Sequence, residues 1–116
     1  MKLIIAGSRT FNDYNKLSVE CDSILKGLNN IEIVSGAYYR GADKLGMQYA
    51  KERGYKLTKF PADWKKYGKA AGSKRNYQMA NYADALIAFW DGKSRGTKNM
   101  IEIFESKKLK IKICYF

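Results

Sequence analysis

The chain contains no histidine. That removes Ser-His-Asp and Cys-His catalysis, helix-borne zinc motifs and the commonest general base at neutral pH, so any acid-base chemistry falls to carboxylates, tyrosines or lysines. Cysteine is scarce as well. Cys21 and Cys114 stand far apart, and neither a Cys-x-x-Cys redox pair nor a thiolate metal cluster can be built from them. Both read as reduced, buried, small apolar side chains; no metal and no cofactor is expected. Long apolar runs are missing too. The longest, around Leu3 to Ala6 and Ala85 to Trp90, fall far short of the roughly 18–20 residues that cross a bilayer. Lys2 followed by an early Gly7-Ser8-Arg9 leaves no room for the apolar stretch and cleavage site of a secretory leader, so a cytoplasmic protein is expected. Acid is in short supply: 11 Asp and Glu face 22 Lys and Arg, for a formal net charge of +11.

What is present describes an ordinary soluble fold. With 116 residues, 46% of them apolar and 28% charged, one domain over residues 1–116 is expected, too hydrophobic for a disordered tail. The charge is unevenly spread. Residues 1–50 carry six basic against five acidic side chains, residues 51–116 sixteen against six. Such a field favours anionic partners such as nucleotides, polyphosphates or nucleic acid, although a solvated lysine coat would carry the same charge.

Strands and helices alternate. Leu3-Ile4-Ile5-Ala6, closed by Gly7, reads as a strand buried on both faces. From Asp13 to Leu28 the apolar positions Leu17, Cys21, Ile24, Leu25 and Leu28 recur at helical spacing, with Asn12 or Asp13 as cap. A strand over Ile31 to Val34 leads to a helix over Ala42 to Arg53, stopped by Gly54. Tyr55 to Phe60 is a third strand, ended by the sole proline, Pro61. Ala62 to Lys74 reads as a long basic loop holding Trp64, Tyr67 and four lysines. The spacing then predicts a helix from Ser73 to Tyr82, a strand from Asp84 to Trp90, a helix from Thr97 to Lys107 with Thr97 as N-cap, and an edge strand from Leu109 to Phe116. This alternation implies right-handed crossovers and an α/β fold, a Rossmann-like three-layer sandwich around a five-stranded parallel sheet of order 3-2-1-4-5. Its ligand crevice is expected where the order reverses, beyond the C-terminal ends of strands one and four.

Three loops must line that crevice: Gly7-Ser8-Arg9-Thr10, Gly36 to Asp43 with Arg40 and Gly41, and Asp91-Gly92 through Ser94, Arg95, Gly96 and Thr97. Each joins glycine to arginine at the entry to a helix. Glycine lets backbone N–H groups approach an anion, a helix N-terminus adds partial positive charge, and arginine supplies a fork of donors matched to phosphate. Standard nucleotide motifs are absent. Ala42 and Asp43 stand where the lysine and hydroxyl of a P-loop would be, no G-x-G-x-x-G follows the first strand, and the second strand ends in Ser35 rather than an acidic residue. A Mg-dependent triphosphatase and conventional NAD binding are both disfavoured.

Taken together, Gly7-Ser8-Arg9-Thr10-Phe11, Ser35-Gly36 with Arg40-Gly41-Ala42-Asp43, Pro61 to Trp64, Tyr67 to Gly72, Arg75-Asn76 with Met79, and Asp84 through Thr97 resemble the SLOG superfamily of Rossmann-like domains, in its YspA-type, YpsA-related branch. The resemblance implies binding of a nucleotide or nucleotide-derived ligand, in some members as a sensor in defence systems, and commonly a homodimer. A sister group, the cytokinin-activating phosphoribohydrolases, carries R-K-x-x-M and P-G-G-x-G-T-x-x-E, its arginine and glutamate serving hydrolysis of an N-glycosidic bond. Arg75, Met79 and Gly96-Thr97 match that pattern, but Met100 occupies the glutamate position, and a thioether neither activates water nor stabilises an oxocarbenium ion. Glu102 is expected to point away. The second loop is one residue longer than the family's S-G-G-x-R-G-A-D and has Ala37 in place of a glycine. Tyr38 and Tyr39 within it are placed either to stack on a base or to pack on a neighbouring loop.

The favoured function is binding of a nucleotide or phosphorylated ribose derivative, as sensor, sequestering or processing protein. Arg9, Arg40, Arg75 and Arg95 would take phosphate, Gly7, Gly36, Gly41, Gly92 and Gly96 would permit backbone approach, and Ser8, Ser94 and Thr97 would add polar contacts. Trp64 or a loop tyrosine would cover the base. Asp43 and Asp91 would hold ribose hydroxyls or, alternatively, cap and turn the backbone. Arg75→Ala is expected to weaken ligand binding with little loss of fold. Two other classes stay open: a nucleotide N-glycosidase using Asp43, Asp91 or a carboxylate from a partner chain, and a protein binding single-stranded nucleic acid through Trp64, Tyr67, Lys65, Lys66 and Lys69, the latter also suggested by the superfamily's similarity to the DNA-processing protein DprA.

Overall fold

A computed structural model describes residues 1–116. Five parallel strands, β1 (Lys2–Gly7), β2 (Glu32–Ser35), β3 (Lys56–Lys59), β4 (Ala85–Trp90) and β5 (Lys110–Tyr115), form one sheet in the order β3-β2-β1-β4-β5. This is the expected topology. Along the two central strands alternate side chains enter opposite layers. Leu3, Ile5, Ile87 and Phe89 pack under helices α1 (Tyr14–Leu25) and α2 (Ala42–Arg53), whereas Ile4, Ala6, Leu86 and Ala88 pack under α4 (Ala71–Tyr82) and α5 (Arg95–Ser106). Burial on both faces explains why these strands read as unbroken apolar runs. Strand β5 lies at an edge, its lysines outward. Both cysteines are buried and unpaired, and burial pushes the Cys21 thiol up to about 12. No helix is long and apolar enough to cross a membrane.

Three boundaries differ from the periodicity-based expectation. Helix α1 stops at Leu25 because Lys26 turns extended and Gly27 takes a left-handed φ of +76°, which carries Leu28 out of the core to 41% exposure. The basic segment after Pro61 is helical. Asp63 accepts the Lys66 N–H at 3.0 Å and caps a single turn, α3 (Trp64–Tyr67), followed by a 3-10 turn over Gly68–Ala70 that runs straight into α4 at Ala71. Helix α5 starts at Arg95, with Ser94 as N-cap and Thr97 already inside the first turn. The reason is Asp91, whose Oδ1 accepts the N–H groups of Lys93 and Ser94 at 2.8 Å each and so closes the turn earlier than Thr97 would.

Candidate functional site

A cleft of about 500 Å³ opens at the C-terminal ends of β1, β2 and β4. Ser8 knots the loops that surround it. Its N–H donates to the Phe89 carbonyl at 2.8 Å, its carbonyl accepts from Ala42 at 3.3 Å, and its hydroxyl accepts the Asp91 N–H at 3.1 Å. Ser8 is therefore buried, and its hydroxyl joins two loops and does not line the cleft. Gly41 completes the closure from the other side. At φ +74° it presses so close that a Cβ would stand 2.5 Å from Arg9 Cα and 2.6 Å from the Ser8 carbonyl oxygen. Sequence predicts ligand contacts for both; the structure gives them loop closure.

Of the other predicted residues, Gly7, Arg9, Arg40, Asp43 and Trp64 line the cleft. Arg75, Ser94, Arg95, Gly96 and Thr97 line it as well. Gly36, Asp91 and Gly92 do not. The Gly36 carbonyl is held by Arg75 instead, Asp91 is spent on the turn before α5, and Gly92 at φ +80° forms that turn. Of the expected carboxylates, only Asp43 reaches the cleft. It is 9% exposed, and its Oδ2 accepts the Tyr38 N–H at 3.1 Å. Burial pushes its carboxyl above the ordinary carboxylate value, while that N–H and the charges of Arg75 and Arg9 pull it down.

Cations dominate the wall. Arg9, Arg40, Lys69, Arg75 and Arg95 face one carboxylate. The three ion pairs of the protein, Arg53–Asp22, Lys56–Glu32 and Lys112–Glu20, lie elsewhere, so the one acid that offsets these five charges is Asp43, beside Arg75 and Arg9. At the β4 end, the α5 ladder begins with the Lys98 N–H donating to the Ser94 carbonyl, and Ser94 makes no side-chain cap bond. The amides of Arg95, Gly96 and Thr97 are thus free, as first-turn amides are, and carry the helix's partial positive charge.

A polar chain supports this wall. Arg75 donates from Nη1 to the carbonyls of Gly36 at 2.8 Å and Phe60 at 3.3 Å, and from Nε to Asn76 Oδ1 at 3.0 Å. Asn76 in turn donates to Asn99 Oδ1 at 2.9 Å and to the Gly96 carbonyl at 3.3 Å. Asn76, Asn99, Ser73, Lys69, Tyr38 and Met100 also line the cleft; of these, Ser73 and Asn99 carry no role in the sequence reading, and Asn76 enters it only as part of the family motif. For Ser73 and Asn76 a signal exists: the face of α4 that buries Met79 and Ala80 turns polar one to two turns earlier. Met100, 3% exposed, sits where the phosphoribohydrolase pattern has its glutamate, and Glu102 is exposed on the other side of α5.

The longer second loop resolves the two tyrosines. Tyr38 packs under the Arg9 guanidinium, 4.0 Å from ring centroid to Cζ, and Tyr39 leans on Tyr38 with 72% exposure. Ala37, where the family has glycine, is held at φ +61°. A left-handed alanine is strained, so Ala37→Gly is expected to stabilise the protein by roughly 0.5–1 kcal/mol, the gain being reduced by the freer unfolded chain. Urea denaturation checks it, and a loss of stability would mean that the Ala37 methyl makes a contact worth more than the strain.

A search of curated proteins gives no match. Among solved structures, that of the molybdenum cofactor binding protein from the phototrophic bacterium Rippkaea orientalis is similar at a TM-score of 0.75 and 13% identity, with 99% of this chain and 76% of that chain covered. The likeness establishes the shared fold. The model of the YspA, cpYpsA-related SLOG family matches residues 1–67, which hold the first two glycine-arginine loops and the turn of Trp64. With more than half its length matched, the chain belongs to the YspA, cpYpsA-related SLOG family.

Proposed function

We propose that the cleft binds a nucleotide or nucleotide-derived, phosphorylated ribose ligand. The observation that carries this reading is the convergence of five cationic side chains, none of them in an ion pair, and three free helix amides on one concavity with a single buried carboxylate. Phosphate belongs at the α5 end, at Arg95 and the amides of Arg95 to Thr97, in the cleft that Arg9 also lines. Asp43, an acceptor when ionised, suits ribose hydroxyls. Trp64, at 57% exposure on the rim, offers a flat face to a base.

A thermal-shift series with the four nucleoside 5′-monophosphates and ribose 5-phosphate tests this. Ligand at 100 times its Kd adds about 2.7 kcal/mol of stability, several degrees in Tm for a chain of this length. Arg95→Ala, an exposed change, is expected to weaken binding about tenfold without lowering the Tm of the free protein. No shift with any of the five compounds would refute the reading.

Asp43 favours one second reading, a nucleotide N-glycosidase. As the one carboxylate on the cleft wall, its base form would take a proton from the water that bonds to the anomeric carbon as the C–N bond breaks, and the departing base would take up a proton from solvent. Release of free base from nucleoside monophosphates, followed by chromatography and abolished in Asp43→Asn, separates turnover from binding.

A further inference from the structure

A second hollow of about 240 Å³ adjoins the first through Arg75, which lines both. Its chemistry is cationic. Lys66 and Lys74 reach over the ring of Tyr67, their Nζ atoms 5.2 and 5.0 Å from its centroid, and neither belongs to an ion pair. The one carboxylate there, Asp63, is already engaged as the cap of α3. Two ammonium groups held near one aromatic ring, in a hollow that Arg75 also lines, repel each other, and an anion bound there relieves that repulsion. The single turn α3 separates the two hollows: Trp64 faces the first, Lys66 and Tyr67 face the second. Phosphate-binding groups, an exposed indole and a second set of cations therefore follow one another across this edge of the protein.

We propose that the second hollow takes a second phosphate of the same ligand, so that the ligand is a nucleoside phosphorylated on both its 5′ and 3′ sides with its base against Trp64. This rests on the nucleotide reading of the first cleft. That unit exists free, as a nucleoside 3′,5′-bisphosphate, and repeated along a single nucleic-acid strand, where stacking on aromatics and attraction of phosphates by lysine are the usual means of binding. The excess of basic residues after residue 50 serves such a ligand better than a monophosphate.

Calorimetric titration of the intact chain with the four 5′-monophosphates, the four 3′,5′-bisphosphates and a 5′-phosphorylated five-residue single-stranded RNA tests this, on the wild type and on Lys66→Gln/Lys74→Gln. Both lysines are exposed, so the double variant should keep the wild-type Tm. In the wild type the bisphosphate of the preferred base is expected to bind about tenfold more tightly than its monophosphate at low salt. The double variant should lose that advantage while binding the monophosphate unchanged. A gain for the free bisphosphate alone supports a small-molecule source, and a gain for the RNA supports a strand. Equal affinity for mono- and bisphosphate would overturn this proposal and leave the first cleft intact, as would a double variant that weakens both equally. Binding of no compound would overturn the nucleotide reading itself.

Discussion

Arg75→Ala is expected to destabilise the protein by about 2–4 kcal/mol in urea denaturation, besides weakening the ligand. The expectation from sequence, that the fold would hardly notice, treats Arg75 as a ligand arm. The structure makes it a brace. Its Nη1 holds the Gly36 and Phe60 carbonyls at the ends of β2 and β3, and its Nε orients Asn76, which secures Asn99 and the first turn of α5. Truncation strands these acceptors, at about 1–3 kcal/mol for each buried group left unsatisfied. It also removes a positive charge beside the buried Asp43, whose ionised form Arg75 favours. Gly36 records how tight the arrangement is: a Cβ there would fall 2.5 Å from Arg75 Nη1 and 2.8 Å from Asp43 Oδ2. Arg75→Lys keeps the charge and loses the fork, so it should recover only part of the loss. A change below about 0.5 kcal/mol in Arg75→Ala, the level of an ordinary surface substitution, would show that the brace is dispensable.

Gly7→Ala should be more damaging still, at roughly 4 kcal/mol or outright failure to fold. Gly7 ends β1 in register with Phe89 of β4, at the centre of the sheet. An added Cβ would stand 2.2 Å from the Phe89 carbonyl oxygen, which accepts the Ser8 N–H, and 2.9 Å from the Cβ of Ala42 at the start of α2. Neither obstacle is a flexible side-chain end. Relief requires that β1 and β4 part or that α2 retreat, and either opens the floor of the cleft. Gly96→Ala makes the control: nothing lies within 4 Å of its Cβ position, and it sits inside a helix. It should fold at least as well as the wild type. Equal Tm values for the two variants would contradict this packing.

The contrast between these glycines shows what a sequence can and cannot reveal. Strand order was legible because Leu3 to Ala6 and Ala85 to Phe89 are buried on both faces, and only a covered parallel sheet accommodates such runs between helical segments. The crevice was legible for a related reason: topology alone sends the loops after β1, β2 and β4 to one edge. Individual roles within those loops were not. Ser8, Gly41 and Asp91 have the same chemistry as ligand-binding residues, and only the neighbours brought in by the fold show that they tie loop to loop. Ser94 and Thr97 both suit a helix cap, and the choice rests on the two bonds Asp91 makes upstream. Helix α3 escaped because four residues hold too little apolar repetition to see, leaving Asp63 as its single local sign. The family resemblance pointed to Arg75, Asn76 and Met100, yet gave no hint that Asn76 joins α4 to α5 through Asn99, a bond whose value lies in geometry between helices.

The anion-binding rim is tested most directly by amide chemical shifts recorded while a nucleoside 5′-monophosphate is titrated into uniformly labelled protein. If phosphate rests on the start of α5 between Arg9 and Arg95, the N–H resonances of Arg95, Gly96 and Thr97 will move furthest, followed by Arg9, and Arg95→Ala will shrink all of these shifts together. Saturable binding that leaves residues 95–97 undisturbed and perturbs another surface would contradict it.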